Sequence, residues 1–179
     1  MTQGTSAVNP KDLSAARDLF FKHDGSRFYM SRNDMEAVYA AYGVPEELER
    51  DWLIELTEQK VASLQSPGNW WTIHFLLDHR DCRYAGDVLQ ARPLGVLWQR
   101  IAFVEEQLEY VEMCYRQRSG VGDAGAVIEP VLANARALLT SCRSDRTRTR
   151  VNQLVAKAER ARSRADPPRR RGAGRLRMH

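Results

Sequence analysis

Apolar residues recur at helical spacing along most of this chain. The clearest stretch is a seam that covers three heptads: Leu94, Leu97, Ile101, Val104, Leu108, Val111 and Tyr115. This spacing predicts one helix of about 26 residues, roughly 39 Å long. Further apolar side chains at Trp98, Phe103, Tyr110 and Cys114 widen the surface beyond a dimer seam. A wide apolar surface favours packing in a bundle, with self-association through the seam as the alternative.

Shorter segments before the seam carry the start and stop signals of helices. The predicted helices cover residues 10–23, 31–42, 45–65, 69–77 and 84–91. Ser31 and Asp34 resemble a capping box for the second of these helices. Residues 28–30, which are aromatic or long apolar side chains, predict a brief extended piece. Residues 70–77 are apolar almost all round, and we therefore place them in the core.

Two more helices are predicted after a glycine-rich break at residues 119–125. The first is amphipathic from Ile128 to Cys142 and has Pro130 in its first turn. The second carries a narrow apolar strip between Val151 and Ala161, surrounded by basic residues. No segment alternates with period two. The predicted fold is therefore all-α, a single helical bundle-like domain with a long heptad-patterned helix and a basic C-terminal extension.

The expected domain boundaries follow from composition. We expect a disordered N-terminus at residues 1–9, a helical domain at 10–142, a basic helical extension at 143–166, and a disordered Arg-rich tail at 167–179. The last of these segments contains too few apolar side chains to offset the entropy of ordering it.

Charge is distributed unevenly along the chain. Residues 143–179 hold 13 basic and 3 acidic side chains, whereas residues 1–142 hold 14 basic and 20 acidic ones. Arginine-rich surfaces bind nucleic acids by neutralising phosphates. The candidate polyanion-binding residues are Arg143, Arg146, Arg150, Lys157, Arg160, Arg164, Arg169, Arg170 and Arg171. Three alternatives remain: another polyanion, the acidic body of the same chain, and a solubilising role without a ligand. A GC-rich genome would also produce a bias towards arginine.

The cysteine pattern indicates a reducing compartment. Cys82, Cys114 and Cys142 are few, odd in number and without a CxxC pair, which argues against a disulfide framework. The N-terminus lacks the charged start and apolar run of a signal peptide, and no stretch reaches the ~18 apolar residues of a membrane span. We expect a cytoplasmic protein with no membrane span.

One cluster has the residue types of a metal site. His74, Asp78 and Cys82 follow one another at four-residue spacing, which would align them on one face of a continuous helix. The ExxH pairs of di-iron bundles and the HExxH motif are both absent. The competing interpretation is a histidine at the edge of the core beside a solvated helix end. We expect no cofactor.

These observations favour a non-enzymatic accessory or regulatory protein. Its acidic body would contact a protein partner or a second copy of the chain, and its Arg-rich end would contact a polyanion such as nucleic acid. Two alternatives remain. One is a metal-dependent enzyme of helical-bundle type that uses His74, Asp78 and Cys82. The other is a small immunity-type protein that neutralises a basic partner.

Overall fold

A computed structural model of the chain describes the backbone of residues 10–117 and 124–165, and the side chains of 12–117 and 127–164. The two predicted disordered ends and most of the glycine-rich break lie outside these residues. Nine α-helices and no strand occur within the described ranges. The prediction of an all-α fold is confirmed.

The contacts divide the chain into two compact units, Met1–Ser63 and Leu64–His179. The first unit contains α1 (Pro10–Lys22), α2 (Arg27–Arg32), α3 (Glu36–Ala41) and α4 (Glu46–Ala62). A 3₁₀ turn, Ser63–Gln65, follows α4. The second unit contains α5 (Trp70–Asp78), α6 (Ala85–Gln90), α7 (Leu97–Arg116), α8 (Ala124–Leu139) and α9 (Asp145–Ala165).

Aromatic rings form the centre of the first unit. The ring of Phe20 lies 5.7 Å from that of Trp52 and 6.1 Å from that of Tyr39, measured between centroids. Gly25 follows α1 with a φ of +66°, and a Cβ atom there would lie 2.9 Å from Cζ of Phe20. The turn after α1 therefore needs glycine for both its backbone conformation and the close approach of the ring.

Two local predictions for the first unit are wrong. Residues 28–30 belong to the helix α2 rather than to an extended piece, because Ser26 caps that helix by accepting a hydrogen bond from the backbone of Tyr29. Ser31 and Asp34 form no capping box. Asp34 has a φ of 58°, and α3 begins after Met35 without a side-chain cap.

Helix α7 is the central helix of the second unit and contacts α5, α6, α8 and α9. Its seam residues Ile101, Val104 and Leu108 are buried, as bundle packing predicts. The helix has 20 residues rather than about 26. It starts at Leu97 because Gly95 has a φ of +92° and Val96 is extended, which leaves Leu94 outside.

Helices α8 and α9 pack along each other. The first begins at Ala124, so Pro130 lies inside the helix and not in its first turn, contrary to the prediction. Val131, Leu132 and Leu138 of α8 are completely buried. Helix α9 lies within the segment expected to form the basic extension, and it belongs to the second compact unit.

A buried glutamine links three helices of this unit. The side-chain amide of Gln107, which is fully buried in α7, donates a hydrogen bond to the backbone carbonyl of Val88 in α6 at 2.7 Å. Its carbonyl oxygen accepts a hydrogen bond from Asn134 in α8 at 3.0 Å. Both ends of the amide are therefore satisfied in an otherwise apolar interior.

Candidate functional site

The basic helix α9 is fixed to the second unit by its apolar side. Val151, Leu154, Ala158 and Ala161 are buried, and their spacing places them along one strip of the helix. Seven basic and two acidic side chains surround this strip within Asp145–Ala165. Because the apolar strip is packed inside the unit, the charged side chains are held at the surface in a defined order.

Three of these cations are bound by carboxylates of neighbouring helices. Arg150 makes two hydrogen bonds to Glu105 of α7, at 2.9 and 2.7 Å. This pairing holds the pKa of the Arg150 guanidinium above its ordinary value. The remaining ion pairs join Lys157 to Glu109 at 3.2 Å, Arg162 to Glu129 at 3.0 Å and, with the charges exchanged, Arg136 of α8 to Glu159 at 2.9 Å.

The seventh basic residue, Arg148, donates to the backbone carbonyl of Cys142. Arg146, Arg160 and Arg164 differ from both groups. All three are exposed, and within the part of the chain that the structure describes they have no carboxylate partner. At 100° per residue they lie within about 40° of one another on the helix, and Arg146 and Arg164 are about 27 Å apart along its axis. We call these three residues the outer flank of α9. Arg150 and Lys157 lie between the outer flank and the buried strip.

The other predicted polyanion-binding residues have different positions. Arg143 is exposed in the turn that precedes α9. Arg169, Arg170 and Arg171 lie outside the described residues. Sequence reasoning did not separate the bound from the unbound cations, because the separation depends on the glutamates of α7. The sequence signal that could have indicated these ion pairs is Glu105 and Glu109, which lie one turn apart on that helix.

The candidate metal residues are only partly brought together. The imidazole of His74 lies between two carboxylates, with Nε2 3.7 Å from Oδ2 of Asp78 and Nδ1 3.3 Å from Oε2 of Glu106. Glu106, on α7, was not predicted, and nothing in the sequence links it to His74. Burial raises the pKa of the Glu106 carboxyl, and the neighbouring His74 opposes this shift. No group of three His, Cys, Asp or Glu residues within the described ranges could hold a metal ion.

Cys82 is absent from this cluster because it forms a disulfide with Cys114. The cysteine pattern argued against a disulfide framework and did not predict this bond. Cys142 is a free, buried cysteine, as expected for a core position. The bond joins the connection between α5 and α6 to the last turn of α7, with Cys114 completely buried and Cys82 half-buried. A disulfide sulfur offers no thiolate to a metal, and the proposed ligand set therefore has no sulfur.

No helix among the described residues combines the length and the apolar character that crossing a membrane requires. Comparison of the chain with protein-family models, with curated proteins and with solved structures finds no match in any of the three.

Proposed function

We propose that this protein is a non-enzymatic accessory protein that binds the phosphate backbone of a nucleic acid through the outer flank of α9. The observation that carries this proposal is the alignment of three exposed guanidinium groups on one side of a packed helix, each without a carboxylate partner in the described chain. Guanidinium groups match phosphate oxygens in geometry, and their fixed positions reduce the entropic cost of binding.

The arrangement of α9 favours nucleic acid over the other polyanions. A helix that lies on a membrane inserts an apolar face between the lipids, whereas the apolar strip of α9 is buried inside the unit. Three glutamates of the same unit, Glu105, Glu109 and Glu129, are already paired with basic side chains of α9. The length of the flank, about 27 Å, corresponds to about eight base-pair steps of 3.4 Å.

The acidic surface of α4 suits the protein contacts of such an accessory role. Glu47, Asp51 and Glu58 are exposed along one side of this helix, together with Ile54, which is 39% exposed. A basic partner protein would meet complementary charge and a small apolar contact there.

The test is the salt dependence of binding to a labelled 20-base-pair duplex, measured by fluorescence anisotropy. Replacing Arg146, Arg160 and Arg164 by Gln should weaken binding and reduce the slope of log K against log salt by up to about 2.7, which is about 0.9 for each phosphate that is no longer neutralised. The slope identifies binding to phosphates, and a general decrease in stability would not change it in this way.

A matched control removes the same charge elsewhere. Arg50, Arg80 and Arg92 are exposed arginines outside α9. Replacing all three by Gln should leave the salt slope unchanged and retain most of the affinity for the duplex. Equal effects in the two triple variants would mean that net charge alone drives binding. Duplex binding by the α9 variant that equals that of the wild type would disprove the proposal.

A further inference from the structure

A cleft of about 270 Å³ lies in the second unit beside the C-terminal turns of α7. Val111 from α7 and Val127 and Ile128 from α8 supply apolar walls. This volume is near the lower limit of small-molecule sites, so the cleft fits one ring system better than an extended chain.

Both signs of charge line the cleft. Glu112 and Arg116 lie one turn apart on α7, and Arg164 enters from α9. The Nε atom of Arg116 donates to the backbone carbonyl of Glu112 at 3.1 Å, which leaves its terminal nitrogens for a ligand. Within the described residues, neither arginine has a carboxylate partner. The cleft therefore suits a ligand that carries an anionic group and also a hydrogen-bond donor for Glu112.

Tyr115 gives the cleft an aromatic wall. Its side chain is 44% exposed, which is unusual among the seam residues of α7. No described residue makes a hydrogen bond to its hydroxyl group. An exposed ring beside guanidinium groups is the arrangement that stacks an unpaired base while its phosphate is neutralised.

We propose that this cleft binds one unpaired nucleotide. The base would stack on Tyr115, the phosphate would contact Arg116 and Arg164, and an exocyclic amino group of the base would donate to Glu112. The proposal rests on the proposed function, because Arg164 belongs to both the outer flank and the cleft. A free amino acid also combines an anion with a donor, but most amino acids lack a ring for Tyr115 to stack against.

The test compares oligo(dC) with oligo(dT) of the same length, because cytosine carries an amino group and thymine does not. Tyr115→Leu should weaken binding of both strands about fivefold or more, and Tyr115→Phe should retain the affinity because it keeps the ring. Glu112→Ala should remove the preference for oligo(dC) while oligo(dT) binding changes little. Equal oligo(dC) affinity in Tyr115→Leu and the wild type, or displacement of the strand by free phenylalanine but not by cytidine monophosphate, would overturn the proposal.

Duplex binding separates this inference from the proposed function. Arg146→Gln with Arg160→Gln should weaken binding of a blunt duplex, and Tyr115→Leu should not change it. If the first result holds and Tyr115 proves irrelevant to single strands, the nucleotide site is wrong and the proposed function stands. If Tyr115 governs single-strand binding while the two arginines leave duplex binding unchanged, the proposed function is wrong instead.

Discussion

Two arginines of the first unit and the outer flank of α9 in the second unit have different surroundings. In the first unit, Arg17 pairs with Glu55 and lies over the ring of Phe21, and Arg27 pairs with Glu49 and lies over the ring of Tyr39. In the second unit, long helices bury continuous apolar strips, and the outer flank of α9 makes no such contact within the described residues. The six-residue helix α2 uses Arg27 for contacts with α3 and α4, whereas the longer, packed α9 can leave three arginines for a ligand.

The largest expected effect on stability comes from removing the disulfide of the second unit. Replacing Cys82 and Cys114 by Ala should cost about 3–4 kcal/mol, because the bond closes a loop of 32 residues in the unfolded chain. Urea unfolding gives the size of the destabilisation. Hydrogen exchange followed by mass spectrometry should locate it in peptides from α5 to α7, with little change in peptides from α1 to α4.

The control for this variant is Cys142→Ala, which alters the free, buried cysteine. Dithiothreitol should lower the unfolding midpoint of the wild type and of Cys142→Ala, and leave the double variant unchanged. A double variant that still responds to the reductant would show that the stabilisation has another source.

The second test concerns a structural arginine of the first unit. Arg27→Lys keeps the charge but removes the planar group that lies 4.4 Å from the centre of the Tyr39 ring and pairs with Glu49. We expect a destabilisation of about 1 kcal/mol, seen as faster hydrogen exchange in α2 and α3. Arg50→Lys is the matched control, because its pair with Glu46 is highly exposed at 64% and 86%. If both variants were destabilised equally, the ring contact would contribute nothing.

The smallest expected effect is a pH dependence within the second unit. Burial raises the folded-state pKa of Glu106, so the protonated form is favoured and stability falls as pH rises through that pKa. Glu106→Gln should therefore be more stable than the wild type at neutral pH, and this gain should vanish as pH falls below the unfolded-state pKa of glutamate, about 4.3. Urea titrations at several pH values measure it. The exposed Glu58→Gln is the control for the change of side chain. A stability difference between Glu106→Gln and the wild type that stays the same at every pH would exclude the titration of Glu106 as its cause.

The long helices and the short α6 could be predicted from the sequence, and the short α2 could not. The periodic apolar positions of α4, α7 and α9 extend over several turns, so the helical period can be distinguished from a chance arrangement of a few apolar residues. Helix α2 has six residues, and its aromatic side chains suggested a strand. The predicted start of α5 at residue 69 is off by one, and the side chain of Asn69 donates to the carbonyls of Leu64 and Arg92 instead of capping the helix. Those acceptors depend on tertiary structure.

The candidate site was predictable only as a charged segment. The sequence located α9 and its arginines, but the contacts of Arg150 with Glu105 and of Lys157 with Glu109 join residues more than 40 positions apart. The same limit applies to the disulfide, since the spacing of Cys82 and Cys114 in the sequence gives no information about the distance between them in the fold. Long-range pairings of this kind require the packed structure.

The buried amide of Gln107 has a consequence for how the second unit selects its packing. If α7 slid by four residues, Phe103 or Val111 would face the carbonyl of Val88 in place of Gln107, and neither of these side chains donates a hydrogen bond. The shifted arrangement would still bury apolar surface, but it would leave the Val88 carbonyl and the Asn134 amide unsatisfied, at a cost of about 1–3 kcal/mol each. One polar residue thus separates the native alignment of three helices from neighbouring alignments that apolar contacts alone would stabilise almost equally.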